Sequence, residues 1–182
     1  LSKIVVETES ITDKTIFYTA LYHNSLAPRI FNDVDGKYPE FSTGKIAQTT
    51  DHDYYCEFSM WDIYRATLPM NSIINPSLTA DWASSMVQKY KSGGWLPIFP
   101  LWNSYTSAMI GDHVTAFLGD LLMKGIDIYG LDDEINELMS IIKDRKRLPK
   151  VLERAKELFC DDTIKEVAIN KLLCARPMLE QI

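Results

Sequence analysis

The chain has 182 residues, 46% hydrophobic and 24% charged, enough for one globular domain with a sizeable core or for part of a larger one. With 19 Lys+Arg against 25 Asp+Glu the net charge is -6, which argues against a nucleic-acid surface and against a polybasic membrane anchor. No apolar run of about 18 residues occurs, so no membrane insertion by a helix is expected.

Leu1-Ser2-Lys3 opens the chain without Met and without a signal-peptide apolar stretch, and the expectation is a chain matured or excised from something longer. Lys3 to Val6 carries a strand signal. Thr12 or Asp13 can cap a helix running to about Leu26, with Ile16, Phe17, Ala20 and Leu21 on one face and Tyr18 and Tyr22 beside it. Ala27-Pro28 ends that helix, because the residue before Pro avoids the helical region. Asn32 to Thr50 has turn chemistry and reads as a long loop, and a weak strand follows near Tyr54.

A second helix is expected from near Ser59 to just before Pro69. The third starts at Pro76-Ser77 and carries Leu78, Trp82, Ala83, Met86, Val87 and Tyr90 at helical spacing, until Gly93-Gly94 stops it. Trp95 to Ala108 holds two Pro, two Trp and several hydroxyls and reads as a structured loop. Asp112 caps the next helix, whose stripe is Val114, Phe117, Leu118, Leu121 and Leu122, and Gly125 ends it. Three further helices fill the tail. The first carries Leu131, Ile135, Leu138, Met139 and Ile142. Pro149 opens the second, with Val151, Leu152, Ala155, Leu158 and Phe159, and Asp162 or Thr163 caps the third.

Composition divides the chain near Asp127. All four Trp, eight of the nine Tyr and six of the seven Phe precede it, and a charged helical tail follows. Cys56, Cys160 and Cys174 lack the spacing of a zinc or thioredoxin motif and read as buried free thiols, with one disulfide possible. His23, His52 and His113 show no metal-ligand spacing. Asp112-His113 reads as a helix cap. No P-loop, G-x-S-x-G or dinucleotide fingerprint occurs, so nucleotide binding and serine catalysis find no support.

Three segments can carry chemistry. Asp33 and Asp35 lie at i, i+2 and could offer oxygens to a hard cation, but the simpler reading is a turn ending at Gly36. In Phe58-Ser59-Met60-Trp61-Asp62-Ile63-Tyr64-Arg65 an indole stands beside a carboxylate. That pair suits a sugar: the apolar face of a pyranose packs on the ring and the carboxylate accepts from two hydroxyls. The alternative is a core Trp with a surface ion pair between Asp62 and Arg65. The third segment, Gly93 to Asn103, is an aromatic, proline-stiffened loop that could line a cleft or cover a core.

Read together, these segments resemble glycoside hydrolase family 92. The likeness runs through Thr15-Ile16-Phe17-Tyr18-Thr19-Ala20-Leu21-Tyr22-His23, Asp33-Val34-Asp35-Gly36-Lys37-Tyr38 and Phe58 to Ala66. It continues through Gly93-Gly94-Trp95-Leu96-Pro97, Met109-Ile110-Gly111-Asp112-His113 and Lys124-Gly125-Ile126. The resemblance implies calcium-dependent, inverting exo-α-mannosidases that remove terminal α-mannose from glycans outside the cytoplasm. It implies a mainly α fold in which residues 1–127 are a helical-hairpin array forming part of an (α/α)6 barrel catalytic domain, with residues 128–182 a three-helix tail outside the likeness. It also implies that Trp61 and Asp62 line the pocket for terminal mannose.

Departures from the family pattern matter as much. An inverting glycosidase needs an acid and a base carboxylate about 6.5–9.5 Å apart. The family's Thr-Glu-Ala-Asn-x-Trp-Gln acid motif, Gly-Asn-Glu-Asp-x-Gly-Gln base motif and Asn-Glu-Pro calcium motif do not occur in this sequence. No catalytic residue or metal ligand is therefore assigned. Where many members read Leu-Pro-x-Trp-Glu-Leu, this chain has Leu96-Pro97-Ile98-Phe99-Pro100-Leu101, so its leaving-group subsite is expected to differ. The rival expectation is a non-catalytic helical module that binds sugar weakly or packs on a partner, including a second copy of itself.

Overall fold

The structure is a computed structural model that describes residues 1–131. The tail helices, Cys160 and Cys174 lie outside the described residues. Helices α1 (Ile11–Asn24), α2 (Met60–Ile63), α3 (Thr67–Ile74), α4 (Pro76–Gly93) and α5 (His113–Met123) dominate. Six short strands, β1 (Arg29–Ile30), β2 (Lys37–Pro39), β3 (Ile46–Gln48), β4 (Tyr55–Cys56), β5 (Pro100–Leu101) and β6 (Ser104–Tyr105), pair antiparallel as β1–β4, β2–β3 and β5–β6.

α4 is the spine. Of its stripe Trp82, Ala83, Met86 and Val87 are buried, Leu78 is half-buried and Tyr90 is exposed; the buried four pack with Leu68 of α3 and with Val114, Phe117 and Leu121 of α5. Tyr55, Phe58 and Met60, on the segment entering α2, close the same cluster. Each such side chain contributes roughly 1.5–3 kcal/mol by leaving water. Gly94 ends α4 in the left-handed region at φ 84°. α5 ends in a Schellman closure: the Ile126 N–H donates to the Leu121 carbonyl and the Gly125 N–H to that of Leu122, with Gly125 at φ 72°.

Several expectations are corrected. Ser10, not Thr12 or Asp13, caps α1 by accepting from the Asp13 N–H at 3.2 Å. Of the α1 stripe Leu21 is buried and Phe17 half-buried, while Ile16 and Ala20 are exposed, as are Ile11 and Tyr22. Lys3–Val6 is no strand: the Tyr18 hydroxyl takes the place of a ladder partner, donating to the Ile4 carbonyl and accepting from the Val6 N–H. The helix expected from Ser59 breaks at Tyr64–Ala66, and Pro69 lies inside the first turn of α3, where an N–H has no intrahelical partner to lose. The 32–50 and 95–108 loops contain the β2–β3 and β5–β6 hairpins.

Candidate functional site

Residues 33–37 form a closed turn. The Gly36 N–H donates to the Asp33 carbonyl, and the Asp35 carboxylate accepts from the Lys37 N–H at 3.1 Å and from Lys37 Nζ at 2.5 Å. Lys37 beside it holds the Asp35 carboxyl below its ordinary range. Among the described residues no group of three or more His, Cys, Asp or Glu side chains is arranged to hold a metal ion. The described residues therefore do not fit a calcium ion.

Trp61 and Asp62 stand on α2, which packs against α5. The indole is half-buried and the carboxylate exposed. Asp62 accepts a hydrogen bond from the Ser59 hydroxyl. Arg65 is not its partner: the guanidinium donates to the Trp61 carbonyl at 2.7 Å and lies 4.5 Å from the Trp61 ring centre and 4.4 Å from that of Tyr64. Arg65 therefore supports the rings by cation–π contact and leaves the outer carboxylate oxygens to solvent.

His113, at the first turn of α5, completes the corner. Its imidazole stacks on Tyr64 at 3.9 Å and 11° and lies 5.4 Å from Trp61. The buried His113 Nε2 has no hydrogen-bond partner among the described residues and faces Gly111, where φ is 92°. The sequence points to a cap at Asp112-His113 and gives no sign of this stack. The Asp112 carboxylate does stand at the helix start, accepting from the Thr115 hydroxyl at 2.9 Å. No local signal marks the stack, since Tyr64 and His113 are far apart in sequence.

The other candidate groups lie apart from this corner. Cys56 is a buried free thiol whose Sγ accepts from the Asn103 N–H at 3.2 Å. Lys89 is fully buried, donating to the Tyr55 carbonyl at 2.5 Å with Nζ 3.7 Å from the Tyr54 ring centre. A groove of about 430 Å³ runs along α1 between Ile11 and Tyr22, and neither Trp61 nor Asp62 lines it.

The family model "Glycosyl hydrolase family 92 catalytic domain" matches residues 1–165, and the chain belongs to that family. The match runs past Asp127, where the motifs read from the sequence stop. Among solved structures, the family GH92 α-mannosidase BT3965 from Bacteroides thetaiotaomicron is similar at 32% identity and TM-score 0.67, over 76% of this chain and 18% of that one. The same enzyme solved in complex with mannoimidazole matches equally. The family GH92 inverting mannosidase BT2199 of the same organism matches at 25% identity and TM-score 0.67, over 78% of this chain and 19% of that one. The chain thus spans about a fifth of the solved structures it matches. No curated protein sequence matches it.

Proposed function

We propose that this chain supplies the terminal-mannose-binding portion of a family 92 α-mannosidase, within one part of an (α/α)6 barrel. The observation that carries the reading is the Trp61–Asp62 corner. The Trp61 indole is in contact with the Arg65 guanidinium over its ring, with Tyr64 and with His113. A carboxylate beside it is oriented by Ser59 and open to solvent. A pyranose stacked on that ring would present adjacent hydroxyls to Asp62, which can accept from two of them. The mannosidase structures it resembles, one of them holding mannoimidazole, support the choice of sugar.

Hydrolysis needs more than binding. Positioned general acids and bases are each worth about 10²–10⁴ in rate. The family motifs for acid, base and calcium have no counterpart in these 182 residues. The chain alone is therefore proposed to bind mannose and to turn over aryl α-mannosides poorly, with or without calcium. The test is titration with mannoimidazole beside an assay of mannose release with calcium and with EDTA. Saturable binding without turnover supports the reading; absence of binding contradicts it.

The exposed face of α1 favours a second reading, a packing module. Ile11, Ile16 and Tyr22 stand exposed on α1, apolar surface that packing on a partner or a second copy would cover. Sedimentation of a clean monomer at high concentration would oppose it.

A further inference from the structure

The β5–β6 hairpin turns on Trp102 and Asn103, which lie between the paired residues Leu101 and Ser104. Both have positive φ, 47° and 54°, the pattern of a two-residue type I′ turn. Asn suits that geometry. Trp does not, because its Cβ crowds the backbone there, and such strain persists where the surroundings enforce it.

The surroundings do enforce it. Asn103 is buried, with its amide donating to the Pro39 carbonyl, its side-chain oxygen accepting from the Tyr54 hydroxyl at 2.7 Å, and its N–H on Cys56. The Tyr105 hydroxyl donates to the Trp95 carbonyl at 2.6 Å and accepts from the Trp95 N–H at 3.2 Å, tying the preceding loop to the hairpin. Yet the Trp102 side chain is 80% exposed. A buried neighbour thus fixes the turn while the indole it carries stays in water.

The hairpin is also locked to the sugar corner. The Phe58 N–H donates to the Pro100 carbonyl at 3.2 Å, and Phe58 is three residues before Trp61. Along that backbone path the Cα atoms of Trp102 and Trp61 are no more than about 25 Å apart. A short oligosaccharide spans that distance.

We infer that Trp102 is a glycan-stacking platform, binding a pyranose ring of the chain beyond the terminal mannose. This rests on the reading of Trp61–Asp62 as the mannose corner. An isolated, pre-set indole suits a sugar ring: its apolar face matches the C–H face of a pyranose, and its fixed turn limits the entropy lost on binding.

The test is calorimetric titration of the purified chain with methyl α-mannoside and with an α-linked mannotetraose, for the natural sequence, Trp102→Ala and Trp102→Phe. The tetraose is expected to bind about tenfold more tightly than the monosaccharide. Trp102→Ala should remove that advantage and leave methyl α-mannoside binding unchanged, and Trp102→Phe should restore most of it. If the tetraose binds no more tightly than methyl α-mannoside, or Trp102→Ala keeps the advantage, the platform is overturned and the mannose corner stands. If the tetraose alone binds and Trp102→Ala abolishes it, the platform stands and the mannose corner falls. If neither sugar binds, both are overturned.

Discussion

His113 stacks face to face on Tyr64, 3.9 Å between ring centres and 11° from parallel, and this contact joins the start of α5 to the end of α2. Gly111 lies beside the imidazole. A Cβ at that position would overlap His113 Nε2, and φ is 92°, which a side chain disfavours. Gly111→Ala is therefore expected to displace the imidazole and loosen the Trp61 corner. The expected cost is about 1–3 kcal/mol in stability, read by urea denaturation. A variant as stable as the natural chain, with unaltered Trp emission, would refute this account of the corner.

Lys89 gives a pH signature. Burial pulls its ammonium down to about 7, well below the ordinary lysine value. Between about pH 7 and 10 the unfolded chain binds a proton that the folded chain does not, so stability rises with pH. The slope is at most about 1.4 kcal/mol per pH unit. Lys89→Met should flatten that rise, while leaving the Tyr55 carbonyl without its donor. Denaturation midpoints for both proteins across this range decide it, and parallel curves would contradict the assignment.

Asp81 has the opposite sign. Burial first, and then the Asp53 carboxylate nearby, push its carboxyl up to about 6. The folded chain holds that proton between about pH 4 and 6, where the unfolded chain has released it, so stability falls as pH rises through this window. Asp81→Asn should raise Tm at pH 7 and leave it unchanged at pH 4. An equal shift at both values would point to packing instead of charge.

The long periodic helices were legible in the sequence because their cores are one-sided. Trp82, Ala83, Met86 and Val87 on α4, and Val114, Phe117 and Leu121 on α5, are buried as their spacing demands. The α1 stripe read equally well as a pattern, yet most of it meets water, because periodicity states which residues share a face and not whether anything packs there. The hairpins were missed for a different reason. Strands of two or three residues leave no alternation to detect, and Trp102-Asn103 lacks the glycine that marks such a turn. At the candidate site, Trp61 and Asp62 were visible as an indole beside a carboxylate. Their supports were not, since the Tyr64–His113 stack joins residues far apart in sequence, and the i, i+3 rule pointed Arg65 to Asp62 when the rings hold it instead.

We propose that Asp62, which accepts from the Ser59 hydroxyl and stands beside the Trp61 indole, holds the hydroxyls of a terminal mannose. Calorimetric titration of methyl α-mannoside into the natural chain and into Asp62→Ala tests it most directly. Asp62 is exposed, so the substitution should leave the thermal unfolding midpoint nearly unchanged. Removing hydrogen bonds to a charged acceptor, each worth about 1.5–3 kcal/mol, should weaken mannose binding about tenfold or more. Equal affinity in the two proteins, both folded, would contradict the account.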